Sequence, residues 1–344
     1  MILRVRRLGA IAGLLLLSSA CGPLAPPPPP TPTRFIPAQL LTPRPTPAAE
    51  TPTPAPAPAP APVIAPATPG PRATATSAAT PTPQLRGTPV PAAEPLVGML
   101  RDDKLTSPII GEEFKYRVYL PPDYQSRTQR RYPVLYMLHG NGGNYTEWSD
   151  SFLPEQADRL MAEAEIPPFI IVMPDDGEAT YWANWSDGPR WGDYLTEDVV
   201  SAIDQRYRTL ANPRSRAIGG LSMGGLGALN LAMQHPDVFG VVGAHSPSVR
   251  LEPEPALWFL VGDNFWEHNP VWLAENAPGI ESISIWIDAG TEDVWLPNIK
   301  AVRDALVDRG LHPNWHNFPG PHEAEYWIEH VPDYLRFYGS QLRS

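Results

Sequence analysis

The sequence predicts an α/β fold in which helices cover both faces of a mainly parallel central sheet. Two observations favour this fold class. Short runs that are apolar nearly throughout alternate, along residues 96–344, with longer segments whose apolar residues recur at helical spacing. Strands that are buried on both faces have this continuous apolar character. All 11 Trp residues also lie after residue 95, so we expect residues 96–344 to form the folded domain.

The predicted elements follow one another in a regular order. In the helix expected at residues 194–207, Leu195, Val199 and Ile203 share one face at helical spacing. The order of strand and helix suits a parallel sheet, whose strands need crossover connections. Strands are expected at residues 114–120, 134–138, 169–173, 216–221, 238–244, 283–288 and 314–318, and helices at residues 153–165, 194–207, 223–234 and 298–309.

Residues 1–20 have the pattern of an export signal. Three arginines precede an apolar run at residues 8–17, and the small residues Ser-Ser-Ala lead into the one cysteine of the chain, Cys21. Small residues before a cysteine resemble the bacterial lipobox, in which the thiol is lipidated and the signal is cut just before it. Ser18 stands where Leu is commonest, and an ordinary cleaved signal peptide is the alternative. Lipidated Cys21 would anchor the protein to a bacterial cell membrane, outside the cytoplasm.

Residues 21–95 are predicted to be a disordered tether that begins at the lipidated cysteine. Residues 22–95 hold 25 of the 46 prolines but only four Arg and two Glu, and such a composition cannot bury enough apolar surface to offset its chain entropy. Repeated Pro, Thr-Pro and Ala-Pro favour polyproline II. We therefore expect a spacer, and a proline-rich ligand for a partner protein is the alternative.

The charge and cysteine content of residues 96–344 exclude several functions. This part carries 19 Lys and Arg against 35 Asp and Glu, a net charge of −16, which argues against nucleic acid as a partner and disfavours polyanionic substrates. It contains no cysteine, so disulfides, cysteine nucleophiles and Cys-zinc sites are excluded. Metal-binding spacings such as H-E-x-x-H or the EF-hand are absent from the sequence. We predict no metal and no cofactor, and make no prediction of oligomeric state.

The strongest motif is GGLSMGG at residues 219–225. It follows an apolar strand and opens a helix, which is the context of a G-x-S-x-G nucleophile elbow. A serine at so sharp a turn requires residues without side chains two positions before and after it, here Gly220 and Gly224. The turn also places Ser222 near a helix N-terminus, where backbone N–H groups stabilise negative charge. A glycine-rich strand end packed closely on a helix is the alternative.

A nucleophilic serine needs a base, an acid that orients the base, and donors for the oxyanion. The motif HGNGG at residues 139–143 follows a strand, and we expect the backbone N–H groups of Asn141 and Met223 to form the oxyanion hole. His139 is expected to hold this loop. Downstream, AGTED at residues 289–293 places acids at the carboxyl end of a strand, and FPGPHE at residues 318–323 places a histidine in a late loop.

Together, HGNGG, GLSMGG, GTED and PGPH resemble the esterase D type branch of the α/β-hydrolases. That branch includes feruloyl esterases, S-formylglutathione hydrolases, enterochelin esterases and mycolyltransferases, and the resemblance covers residues 96–344. It implies an α/β-hydrolase fold with Ser222 as nucleophile, Asp293 as acid and His322 as base. Because the substrates of this branch are diverse, the resemblance indicates a reaction class rather than a molecule.

Other residues compete for the roles of acid and base. Asp288 also ends a strand, but it follows directly on an apolar run, so we expect it to be a structural carboxylate. The competing histidines lie at positions that favour a helix cap, a strand or the terminal helix, and they are His235, His268, His312, His316 and His330.

The sequence therefore predicts a serine esterase that hydrolyses a carboxylic ester, of a small molecule or of the cell envelope, through an acyl-enzyme intermediate. The alternatives are an acyltransferase with a sugar or lipid hydroxyl acceptor, and a non-catalytic surface binding module. Aromatic residues in two loop-rich segments, 177–193 and 246–282, are candidates for the substrate pocket, with burial in the core as the alternative for each ring. The candidates are Trp182, Trp185, Trp191 and Trp266.

Overall fold

The computed structural model describes residues 96–177 and 179–343, which contain an eight-stranded sheet in the order β1-β2-β4-β3-β5-β6-β7-β8. The predicted signal peptide, Cys21 and the proline-rich tether lie outside the described residues. The strands are β1 (Met99–Thr106), β2 (Glu113–Leu120), β3 (Val134–Leu138), β4 (Ile170–Pro174), β5 (Arg216–Leu221), β6 (Val241–His245), β7 (Ser284–Gly290) and β8 (Asn314–Phe318).

The sheet is parallel except at one edge. Strand β2 pairs antiparallel with both β1 and β4, and all other neighbouring strands pair in parallel. Every residue of β3, β4, β5 and β6 is buried, which explains why these strands are nearly continuous apolar runs. This is the α/β-hydrolase fold that the sequence predicted.

Helices pack on both faces of the sheet and each face has its own hydrophobic cluster. Residues of α2 and α9 cover one face, and residues of α4, α5, α7 and α8 cover the other. Within residues 96–177 and 179–343, no helix combines the length and apolar character needed to cross a bilayer. The helices are α1 (Glu147–Asp150), α2 (Leu153–Ala162), α3 (Trp191–Asp193), α4 (Val200–Arg206), α5 (Met223–Gln234), α6 (Asp263–Glu267), α7 (Pro270–Asn276), α8 (Leu296–Asp308) and α9 (Ala324–Gln341).

Several elements differ from the predicted ones. Segment 246–282, expected to be loop-rich, contains α6 and α7. The helix expected at residues 194–207 is π-helical over Tyr194–Val199 before it continues as α4. Strand β1 was not predicted, because residues 101–104 of its sequence MLRDDKLT are charged and exposed. It forms through eight residue pairs with β2, and Arg117 of β2 binds both carboxylate oxygens of Asp102 at 2.6 and 2.9 Å.

Four histidines, two of them buried (His245 and His268) and two half-buried (His235 and His316), predict how the stability of the domain depends on pH. Burial lowers the pKa of each of these histidines below the ordinary value. At a pH between the folded and the unfolded pKa, the histidine is therefore protonated in the unfolded chain but neutral in the folded chain. We expect these four contributions together to lower the Tm as the pH goes from 7.5 to 5.5, against the opposite contribution of His139, whose pKa is raised.

A single substitution isolates one of these contributions. His268→Gln keeps a side-chain donor near the carbonyl oxygen of Asn264, which lies 2.9 Å from Nδ1 of His268, but it removes the titrating ring. We expect calorimetric scans at several pH values to give a flatter dependence of Tm on pH for this variant. An equal or steeper dependence in the variant would contradict the assignment.

Candidate active site

Ser222 lies at the sharp turn between β5 and α5. Its backbone has φ 52° and ψ −112°, a strained conformation for a residue with a side chain. A Cβ atom on Gly220 would lie 2.5 Å from the backbone of Gly224, and one on Gly224 would lie 2.4 Å from the carbonyl oxygen of Leu138. Because both contacts are with backbone atoms, a side chain at either glycine would push the turn apart.

The loop after β6 holds this turn from the other side. The N–H of Ser222 donates to the carbonyl oxygen of His245 at 3.0 Å, and the N–H of Ser248 donates to the carbonyl oxygen of Ser222 at 3.0 Å. Ser246, between these contacts, also has a positive φ of 47°. The strained conformation of Ser222 is therefore supported by neighbouring backbone rather than by its own preference.

Ser222, His322 and Asp293 form one chain of hydrogen bonds. Nε2 of His322 lies 2.9 Å from Oγ of Ser222, and Nδ1 of His322 lies 2.9 Å from Oδ2 of Asp293. The imidazole can therefore take a proton from the hydroxyl while the carboxylate fixes the opposite nitrogen. The rings of His322 and Trp327 are nearly perpendicular, with their centroids 5.0 Å apart.

The loops after β7 and β8 are joined to each other, which brings Asp293 and His322 together. The N–H of Thr291 donates to the carbonyl oxygen of Phe318 at 2.8 Å, and the N–H of Glu292 donates to that of Gly320 at 3.0 Å. A Cβ atom on Gly290 would lie 2.0 Å from the carbonyl oxygen of Gly320. The glycine in the AGTED motif thus permits the close approach of the two loops.

Asp293 is held in its charged form. Its side chain is fully buried, and burial alone would raise its pKa. Hydrogen bonds from His322 and from the backbone N–H of Trp295, which lies 2.7 Å from Oδ1, outweigh burial and lower the pKa below the ordinary value for Asp. A carboxylate that stays ionised can orient and stabilise an imidazolium.

Asp288 belongs to a different, wholly buried network. Its Oδ1 accepts hydrogen bonds from Trp286 Nε1 at 2.7 Å and from His245 Nδ1 at 2.9 Å, and its Oδ2 accepts from the hydroxyls of Tyr326 at 2.8 Å and Tyr334 at 3.1 Å. These four donors occupy the acceptor positions of the carboxylate. Asp288 makes no contact of this kind with His322 among the described residues, and its environment is that of a structural carboxylate.

The competing histidines lie elsewhere in the fold. His235 caps the C-terminus of α5, Nδ1 of His268 lies near the carbonyl oxygen of Asn264, and His312 lies in the loop before β8. His316 stacks on Trp286, and His330 stacks on Phe318. Among the described histidines, His322 is the one hydrogen-bonded to the Ser222 hydroxyl.

The glycine-rich turn after β3 lies against the start of α5. Strands β3 and β5 pair in parallel, so Asn141 and Met223 follow the same edge of the sheet. Met223 is the first residue of α5, a position whose N–H has no partner within a helix. The carboxylate of Glu147 accepts a hydrogen bond from the N–H of Gly140 at 2.6 Å. The sequence did not identify Glu147 as the residue that holds this turn, because no motif connects the two positions.

The four candidate pocket tryptophans do not share one environment. Trp182 and Trp191 are buried in the main hydrophobic cluster, at 1% and 8% exposure, so their rings do not offer an open surface. Trp185 is half-buried and stacks on Phe259, with ring centroids 4.7 Å apart. Trp266 is 38% exposed. Trp258, which was not among the candidates, is 66% exposed and meets Trp185 edge-on.

Comparison with known proteins gives a matching family model. The model described as Putative esterase matches residues 107–338. A curated relative, Esterase Rv1288 of Mycobacterium tuberculosis (strain ATCC 25618 / H37Rv), is 28% identical over 240 residues, which cover 60% of this chain and 51% of the relative. The endo-1,4-beta-xylanase/feruloyl esterase of Xylanibacter ruminicola is 32% identical over 163 residues, covering 42% of this chain and 22% of that protein. The chain thus spans about half the length of Rv1288, and less of the second relative.

Solved structures agree with the fold. A ferulic acid esterase superposes with a TM-score of 0.65 at 26% identity, covering 71% of this chain and 98% of that one. An S-formylglutathione hydrolase from Agrobacterium tumefaciens superposes with a TM-score of 0.62 at 20% identity, covering 72% of this chain and 97% of the other. The similarity therefore covers nearly the whole of each solved chain.

Proposed function

This chain belongs to the putative esterase family, and from that premise we propose that residues 96–344 form a serine carboxylic-ester hydrolase. The observation that carries the proposal is the chain of two 2.9 Å hydrogen bonds from Ser222 through His322 to Asp293. It lies at a nucleophile elbow, and its acid is held ionised. A binding module would need neither the strained serine nor the oriented imidazole.

The proposed reaction has two halves. Oγ of Ser222 attacks the ester carbonyl carbon while Nε2 of His322 takes the hydroxyl proton, and the backbone N–H groups of Asn141 and Met223 hold the oxyanion. The tetrahedral intermediate then expels the alcohol, which takes the proton from His322, and leaves an acyl-enzyme. Water then attacks this ester with His322 again as base. The carboxylic acid is released, and the proton returns to Oγ of Ser222.

The same groups would support transfer of the acyl group to a sugar or lipid hydroxyl in place of water. To test the proposal, the purified protein is incubated with short p-nitrophenyl esters, with and without a large excess of a sugar acceptor. Hydrolysis predicts one carboxylic acid released per p-nitrophenol in both conditions. Formation of an acylated sugar identifies an acyltransferase, and no release of p-nitrophenol in either condition leaves a binding module.

We also propose that the domain works outside the cytoplasm, attached to a membrane through Cys21. The support is the Ser-Ser-Ala-Cys sequence after an apolar run, followed by the proline-rich segment before residue 96. Several acyl chains on one residue would give stable anchoring, because each buried methylene contributes about 0.8 kcal/mol.

Substitution of the cysteine tests the anchor. We expect Cys21→Ala to move the protein from the membrane fraction to the soluble fraction of cells that express it, and mass spectrometry of the wild-type N-terminus to find acyl groups on Cys21. Ser18→Ala, which leaves the thiol in place, is the control and should stay with the membrane. Unchanged membrane retention of Cys21→Ala would refute the anchor.

A further inference from the structure

One imidazole and two carboxylates meet at the carboxyl ends of β3 and β4, beside the turn that carries Asn141. His139 follows β3, and Asp175 and Asp176 follow β4, which pairs in parallel with β3. Nε2 of His139 lies 3.0 Å from Oδ1 of Asp176 and 3.6 Å from Oδ1 of Asp175. One ligand-type atom from each residue lies within 4.8 Å of the other two.

The hydrogen bonds at this cluster are incomplete. Nδ1 of His139 lies 2.9 Å from the carbonyl oxygen of Gly140, so this nitrogen carries a proton and donates it. The side chain of His139 is 2% exposed and that of Asp176 is 0% exposed, yet neither Nε2 nor Oδ1 has a hydrogen-bond partner among the described residues. Oδ2 of Asp176, in contrast, accepts a hydrogen bond from the hydroxyl of Thr180.

The two carboxylates of the cluster favour binding of a cation. With a neutral imidazole the three groups would carry two buried or half-buried negative charges. A proton on Nε2 would form an ion pair with Oδ1 of Asp176, but the 3.0 Å contact lacks the direction of a hydrogen bond, so both atoms remain available to a shared ion.

We propose that His139, Asp175 and Asp176 bind one divalent transition-metal ion, with Zn²⁺ as its representative. Ligands at about 2.0–2.2 Å from a tetrahedral ion lie roughly 3.4 Å from each other, and the observed separations of 3.0 and 3.6 Å fall on either side of that value. A nitrogen with carboxylate oxygens favours Zn²⁺ over Ca²⁺ or Mg²⁺. A histidine whose other nitrogen donates to a backbone carbonyl is the usual oriented ligand.

The site is distinct from Ser222 and its partners in the proposed reaction. Asp175, whose side chain is 22% exposed, leaves a way in for the ion and for a water at the open coordination position. The ion would join the turn after β3 to the segment after β4. That segment contains Trp182, whose Nε1 lies 3.4 Å from the carbonyl oxygen of His139. The role we assign to the ion is to fix this turn.

Metal content provides the test, and it does not depend on esterase activity. Purified full-length protein is treated with EDTA, dialysed and titrated with ZnCl₂ by calorimetry, and bound zinc is counted by elemental analysis. We expect one Zn²⁺ per chain and a rise of Tm on binding. His139→Gln and Asp176→Asn should each weaken zinc binding by about 10-fold to 100-fold. Asp175→Asn, at a more exposed position, is the third variant and should also weaken binding.

The matched control is Asp333→Asn, which removes a carboxylate 3.4 Å from Nδ1 of His330. This pair resembles the proposed site in residue types but lacks a second carboxylate, so the variant should bind Zn²⁺ as the wild type does. Absence of stoichiometric binding by the wild type would overturn the proposal and leave His139 as an imidazolium paired with two carboxylates. Undiminished binding by all three site variants would place the ion elsewhere and overturn it equally.

Discussion

Ser222→Ala should remove ester hydrolysis, with a loss of at least about 10⁴-fold in kcat, because no other group can form the acyl-enzyme. The variant should also lose covalent labelling by a fluorophosphonate probe, and its Tm should not fall. Steady-state kinetics on a p-nitrophenyl ester, gel fluorescence of the labelled protein and thermal unfolding measure the three quantities.

Ser248→Ala is the matched control for this prediction. Ser248 is a buried serine whose backbone N–H donates to the carbonyl oxygen of Ser222, a bond that alanine preserves, and its Oγ makes no hydrogen bond within the described residues. We expect Ser248→Ala to keep both labelling and turnover. Labelling of Ser222→Ala at an undiminished level would mean that another residue is the nucleophile.

Asp293→Asn should lower kcat by roughly three to four orders of magnitude with little change in Tm. The carbonyl oxygen of the new amide can still accept the bond from the N–H of Trp295, now 2.7 Å from Oδ1 of Asp293. The amide NH₂ would then face Nδ1 of His322, which favours the tautomer that leaves the proton on Nε2. His322 in that tautomer cannot take the proton of Ser222.

Asp288→Asn should show the opposite result, because its carboxylate accepts bonds from four donors and an amide can accept on one side only. Partners left unpaired in the core cost about 1–3 kcal/mol each, so we expect the Tm to fall by on the order of 5–10 °C. Turnover of the folded fraction should change far less. A large loss of turnover in Asp288→Asn together with near-normal turnover in Asp293→Asn would make Asp288 the acid.

The parallel part of the sheet could be predicted because its strands are buried on both faces and are therefore apolar along their whole length. The bounds of β3, β5 and α5 agree with the predicted ones. Strand β1 could not be predicted in this way, because its stability comes from pairing with β2 and its side chains point largely to solvent. A run of charged residues does not indicate that the segment will pair with a neighbouring strand.

The candidate site was predictable where chemistry requires particular residues within a short motif. Gly220, Gly224 and Gly290 are each required by a close backbone contact, and each stands inside one of the motifs. The supporting contacts were not predictable, since Glu147 and Asp176 act on residues that are brought close only by the fold. His139 is likewise far in sequence from Asp175 and Asp176, so no motif spacing in the sequence indicates their cluster.

Strand β1 also affects how copies of the protein meet one another. An edge strand offers unpaired backbone groups to any extended chain, and two such edges can join into a continuous intermolecular sheet. In β1 the exposed residues 101–104 are Arg, Asp, Asp and Lys, and an incoming strand would have to strip water from these charges. The strand that is hardest to recognise in the sequence therefore protects this edge of the sheet from aggregation when many copies are crowded together.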